Sequence, residues 1–175
     1  MIKLVKPDHS YEKEIFEYKA DMIKNGDTSL SGCGGLHKSD NYDDWINGIL
    51  IYQDKATIPE DSFYVEGSQW LLVDSLNNRI LGMVNIRHYL SDSLLDFGGH
   101  IGYSIRPSER QKGLAKLQLR LALDYLKGLE VKKALVTCDD LNVGSYKTIE
   151  ACGGVLENRL FSEEYGMVRR YWITL

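Results

Sequence analysis

The chain has 175 residues, 43% hydrophobic and 26% charged, which suits one packed domain spanning residues 1–175. No apolar run approaches the roughly 18–20 residues of a membrane span. The start Met1-Ile2-Lys3-Leu4-Val5-Lys6 is too short and charged for a secretory signal, so a cytoplasmic chain without membrane contact is expected. A net charge of −4 with no long basic run argues against nucleic acid as the main partner. Cys33, Cys138 and Cys152 stand at no metal-ligand spacing and read as reduced thiols with no metal site.

Tyr11, Ile15, Tyr18 and Met22 recur at helical spacing after Pro7-Asp8, and Asn25-Gly26 stops that helix. Ser31-Gly32-Cys33-Gly34-Gly35 reads as a loop, suited to a mobile wall of a binding site. A second helix capped by Asp40 carries Tyr42, Trp45, Ile46, Ile49 and Leu50 on one face. Trp70–Val73 and Ile80–Ile86 flank a turn at Ser75–Asn78 and predict a hairpin. His100–Ile105 alternates as a strand and ends before Pro107.

Residues 113–127 predict a largely buried helix, polar only along Lys116, Arg120, Asp124 and Lys127. A short strand over Lys133–Cys138, a helix over Asn142–Cys152 and a hairpin over 155–174 complete the order. Tyr171 and Trp172 are expected in the core, and Arg169 and Arg170 on a solvated edge. The fold class is α/β of the α+β kind, with one mixed sheet and helices on both faces. Free edges at the terminal hairpin would allow a homodimer.

The informative stretch runs from Ile105 to Ala115. It joins a strand to the N-terminus of the long helix, whose first-turn amides lack intrahelical partners and carry positive potential. Gly113 lets an anion approach the backbone, and Arg110 and Lys112 add charge, so the turn predicts a pyrophosphate cradle. Neither a triphosphate loop nor a dinucleotide fingerprint is present.

Arg110-Gln111-Lys112-Gly113-Leu114-Ala115 fits Q/R-x-x-G-x-G/A and resembles the acyl-CoA loop of the GNAT family of N-acetyltransferases. Asn142, Ser145 and Gly153-Gly154 extend the resemblance over about residues 69–160. The resemblance implies mostly antiparallel strands that splay at 100–105 and 133–138, with acetyl-CoA as acyl donor. It further implies that backbone near Ile105 pairs with pantetheine. Amides of Gln111, Lys112, Gly113, Leu114 and Ala115 would then hold the pyrophosphate, with Asn142 and Ser145 lining the other side.

The reaction so implied is direct attack by a primary amine of a small molecule on the thioester, in a ternary complex. A protein N-terminus or lysine side chain as acceptor, or a non-catalytic acyl-CoA-binding module, are the alternatives. The acidic balance leans toward a cationic acceptor. The family's usual acid, a Tyr seven residues after the Asn, is replaced by Ile149. Tyr146 is then the candidate acid, against a packing role. For the base, His100 leads and His88 follows, each set against a structural histidine.

Overall fold

The structure is a computed structural model that describes residues 1–60, 62 and 64–175. Its elements are β1 (Ile2–Val5), α1 (Glu12–Lys24), α2 (Tyr42–Leu50), β2 (Gly67–Asp74) and β3 (Arg79–Arg87), followed by β4 (Ile101–Ile105) and α3 (Leu114–Gly128). The chain closes with β5 (Lys133–Asp139), α4 (Val143–Ala151), β6 (Val155–Ser162) and β7 (Gly166–Thr174). The four-residue β1 and a π-helical turn at Leu94–Gly98 lie outside the sequence expectation. Asn41, not Asp40, caps α2, accepting the Asp44 N–H at 2.9 Å. Leu50 is exposed, so the buried face of α2 is Tyr42, Trp45 and Ile49.

All strand pairings are antiparallel. They form two ladders, β1-β2-β3-β4 and β5-β7-β6, rather than one continuous sheet. The ladders meet where the His100 N–H donates to the Leu135 carbonyl at 2.8 Å, beyond which β4 pairs with β3 alone. The expected splay is therefore the boundary between two sheets.

β2 is buried on both faces because successive side chains point oppositely and both sides are covered. Leu71 and Val73 pack with Ile15, Tyr18 and Met22 of α1 and Trp45 of α2. On the other face, Val84, Ile86 and Ile101 meet Leu119, Ala122 and Leu126 of α3 and Val136, Ile149 and Tyr171 beyond the splay. Each such Leu- or Ile-sized side chain contributes about 1.5–3 kcal/mol through burial. Tyr171 is core as expected, whereas Trp172 is half-buried with its indole N–H on Glu157 at 2.9 Å.

Arg106, 1% exposed, anchors α1 to the end of β4. Its guanidinium lies 3.3 Å from Glu14 and 3.3 Å from Asp21. Glu14 also accepts the Ile80 N–H at 2.7 Å, which fixes α1 against β3. Carboxylate partners of this kind offset the desolvation cost of a buried arginine.

Candidate functional site

Two cavities adjoin the β4 end of the splay. The first, about 660 Å³, is lined by Tyr103, Ser104 and Ile105 of β4, by Arg110, Gln111 and Gly113–Lys116, and by Asn142, Gly144 and Ser145 of α4. Gln111 and Gly113 both adopt positive φ, 62° and 80°, which turns the chain so that α3 starts at Leu114 facing the cavity. A Cβ at Gly113 would meet nothing within 4 Å, so the space before the helix N-terminus is open. Open space, free first-turn amides and the helix dipole suit a phosphate group.

Neither loop cation is free for it. Arg110 donates from Nε to the Ile105 carbonyl at 3.0 Å and from Nη2 to Asp27 at 2.9 Å. Lys112 pairs with Glu109 at 2.9 Å and does not border the cavity, while Lys116 does. Asn142 spends its side-chain oxygen capping α4, accepting the Ser145 N–H at 3.0 Å. Ser145 turns its hydroxyl to Tyr103, at 3.0 Å.

The free edge of β4 follows from its register. Arg87 N–H donates to the His100 carbonyl and Arg106 N–H to that of Leu81, so even-numbered residues face β3. The amides of Tyr103 and Ile105 therefore point toward the splay, as pairing with an extended ligand requires.

The second cavity, about 600 Å³, shares Ser29, Leu30 and Ser31 with the first. Its walls are the loop Gly32–Gly35, Trp45 and Ile49 of α2, Gln69, Asn85 and Arg87 of the hairpin, and Tyr52, Tyr64 and Tyr165. The glycine loop is pinned, not loose. The Gly32 carbonyl accepts from Gln69 Nε2 at 2.8 Å, and the Trp45 indole donates to the Cys33 carbonyl at 2.8 Å. Burial pushes the Cys33 thiol up to about 12, so it stays protonated beside Ser104.

The three catalytic candidates from sequence lie elsewhere. His100 is 5% exposed, borders neither cavity, and accepts the Leu135 N–H at Nδ1 at 2.9 Å. In that neutral ring Nε2 carries the proton, so no lone pair remains for an incoming amine. Burial lowers its pKa to about 4, with the Arg87 charge acting in the same direction. His88 bonds Ser68 at 2.9 Å, and Ser68 in turn bonds Tyr125 at 2.9 Å, away from both cavities. Tyr146 packs under the Arg169 guanidinium, 4.0 Å from its ring centre, and does not border the first cavity. Tyr103, His37 and Arg87, by contrast, border the cavities and carry no motif that marks them in sequence. Among the described residues, no cluster of His, Cys, Asp and Glu could hold a metal ion, and no helix is long and apolar enough to cross a membrane.

The model of the acetyltransferase (GNAT) domain matches residues 33–155. No curated protein sequence matches the chain. Solved structures share its fold at low identity. The ribosomal-protein-S5-alanine acetyltransferase from Vibrio fischeri is 15% identical with a TM-score of 0.69, over 99% of this chain and 91% of that one. Spermidine N-acetyltransferase from Vibrio cholerae, solved with CoA and spermine, is 18% identical with a TM-score of 0.64, over 99% and 95%. The ribosomal L7/L12 α-N-protein acetyltransferase, solved with coenzyme A, is 14% identical with a TM-score of 0.70, over 99% and 94%.

Proposed function

This chain belongs to the GNAT acetyltransferase domain family, and we propose that it transfers an acetyl group from acetyl-CoA to a primary amine of a small molecule. The observation that carries this reading is the meeting of two cavities at one free strand edge. One offers an anion cradle at the start of α3, and the other is an aromatic-walled chamber with no such cradle. They adjoin along Ser29, Leu30 and Ser31.

In this reading the backbone amides at Gly113–Ala115 hold the pyrophosphate, and Lys116 supplies the nearby positive charge. Asn142, Ser145 and the β4 edge at Ile105 line the pantetheine path. Acetyl-CoA, when bound, supplies the acetyl group as a thioester. The free amides of Tyr103 and Ile105 stand ready to donate to oxygen on that edge, which needs no special side chain.

The acceptor amine must be neutral to react, because an alkyl ammonium has a pKa near 10.4 and no lone pair. His37 is the histidine that borders the second cavity among the described residues, and we assign it the proton. Trp45, Ile49 and Leu94 give the chamber apolar walls.

Calorimetric titration with acetyl-CoA, repeated on Gly113→Glu, tests the reading. Binding in the micromolar range that the variant abolishes supports it, since the substitution places a charged side chain at positive φ in the cradle. Absence of binding by the native chain discards it. Binding without CoA release in the presence of any amine leaves a non-catalytic acyl-CoA module.

A further inference from the structure

Among the described residues, the arginines that approach the core are paired with carboxylates, with one exception. Arg106 meets Glu14 and Asp21, Arg110 meets Asp27, Arg169 meets Asp140, and Arg170 meets Glu157. Arg87 takes part in none of the ion pairs among the described residues, although it is largely withdrawn from solvent. Its Nη1 donates to the carbonyls of Gly98 and Gly99, at 3.0 and 3.2 Å. These bonds fix the guanidinium, and no carboxylate among the described residues compensates its charge. The fork borders the second cavity, and its Nη2 lies 3.5 Å from where a Cβ on Gly102 would stand. An arginine held in a low-dielectric wall without a counter-ion is costly, and an arriving anion relieves that cost.

The rest of the chamber carries the same bias. Lys38 and His37 lie on its wall, and Asp44, its one carboxylate among the described residues, is engaged by the Asn41 side chain at 2.7 Å. Local charge therefore opposes the net −4 of the chain, which had leaned toward a cationic acceptor. The position along β4 adds a geometric argument. Arg87 sits beside Gly102, and the free Tyr103 amide belongs to the next residue, about 3.8 Å along the chain. A carboxylate seated on Arg87 brings an amine one or two carbons away to the strand edge assigned to acyl transfer.

We propose that Arg87 recognises the acceptor, and that the acceptor is a small primary amine bearing a carboxylate, the chemistry of an amino acid rather than of a polyamine. The inference rests on the acyl-transfer reading above. Its test is release of free CoA from acetyl-CoA with the standard amino acids, β-alanine and γ-aminobutyrate. Each is compared with its own carboxamide, and spermidine and spermine are assayed alongside.

The expected result is turnover of at least one of the acids, with kcat/KM about 10- to 100-fold above that of its carboxamide, the range of hydrogen bonds to a charged group. Arg87→Met removes that preference, chiefly through KM for the acid, so that the acid reacts no faster than its own carboxamide. Arg87→Lys restores part of the preference. The acid-to-amide comparison on the native chain needs no variant, so a misfolded Arg87→Met does not blunt the test. Turnover of spermidine or spermine with no acid consumed overturns the inference and leaves the acyltransferase reading intact. So does a carboxamide that serves as well as its acid. If no acceptor reacts, calorimetry with the N-acetyl amino acids decides, and no binding of any of them overturns it. Titration with acetyl-CoA in the same preparation shows whether the acyltransferase reading falls as well.

Discussion

The Tyr103 hydroxyl lies 3.0 Å from the Ser145 hydroxyl, joining β4 to α4 across the wall of the first cavity. The pair stands where a proton donor for a departing thiol would be sought, since Ile149 occupies the position of the family's usual tyrosine. Magnitudes argue against proton donation. Burial pushes Tyr103 up to about 12. A thiol of the cysteine type has a pKa near 8.5, so transfer from Tyr103 runs uphill by roughly 5 kcal/mol.

We therefore expect Tyr103 to stay protonated and orient a hydrogen bond, with the thiolate leaving without a dedicated acid. Tyr103→Phe should lower kcat by no more than about tenfold, against the roughly 100- to 10,000-fold of true acid catalysis. The basic limb of the pH–rate profile should not move. A thousandfold loss, or disappearance of that limb, would make Tyr103 the acid.

His100 makes stability depend on pH. Its folded pKa is depressed to about 4 from an ordinary value near 6.5, so between these pH values the unfolded chain binds more protons. Stability is complete above about pH 6.5, falls as pH drops, and levels off below about pH 4; the full span is on the order of 3 kcal/mol. Protonation at Nδ1 would also break the bond from the Leu135 N–H. His100→Asn can keep an acceptor for that N–H while removing the titration. Its melting temperature should vary less between pH 4 and 7 than that of the native chain. His100→Ala leaves the Leu135 N–H unpaired and should cost about 1–3 kcal/mol at pH 7. Turnover per folded molecule should survive in both.

Much of this arrangement was readable from local pattern. Gly113 at the start of α3 and the strand at 100–105 are short-range signals, since a free helix N-terminus and a period of two need no tertiary knowledge. β1 escaped notice because its four residues alternate weakly and pair only with the edge of β2. The placement of His100 and His88 away from both cavities was not legible, for a different reason. The partner of His100 is the backbone of Leu135 on another sheet, and nothing near His100 in sequence announces it. Arg87 was likewise silent, because an arginine becomes informative only when the surrounding carboxylates can be counted in space.

Gly32 is fixed by close approach. It has φ of 75°, and a methyl group there would overlap the Gly102 carbonyl and sit 2.5 Å from Tyr103 Cα. Gly35, with φ of 79°, has nothing within 4 Å of the same position. Gly35→Ala should therefore cost only the backbone strain, about 1 kcal/mol. Gly32→Ala adds displacement of the loop from β4. Its kcat/KM for the acceptor should fall about 10- to 100-fold beyond the Gly35→Ala effect, since a misplacement of about 1 Å costs up to roughly 100-fold. Equal behaviour of the two variants would show that loop contact with β4 does not position the acceptor.

Asp27 borders the first cavity, and its carboxylate would repel the phosphates of an anionic ligand if Arg110 did not neutralise it. We propose that Arg110 acts as a brace and a mask rather than as the phosphate ligand expected from sequence. Both groups are about one-third exposed, 38% and 34%, so solvent keeps the pair itself weak. Each unmasked charge costs about 1 kcal/mol at 4 Å in water, close to fivefold in affinity. Arg110→Ala should weaken acetyl-CoA binding by at least that factor, with a further loss from the freed Ile105 carbonyl. Asp27→Asn alone should leave binding unchanged or tighten it slightly. In the double variant Arg110→Ala with Asp27→Asn, the electrostatic part of the loss should return. If calorimetry finds the double variant as weak as Arg110→Ala, Arg110 touches the phosphates directly and the sequence expectation for it stands.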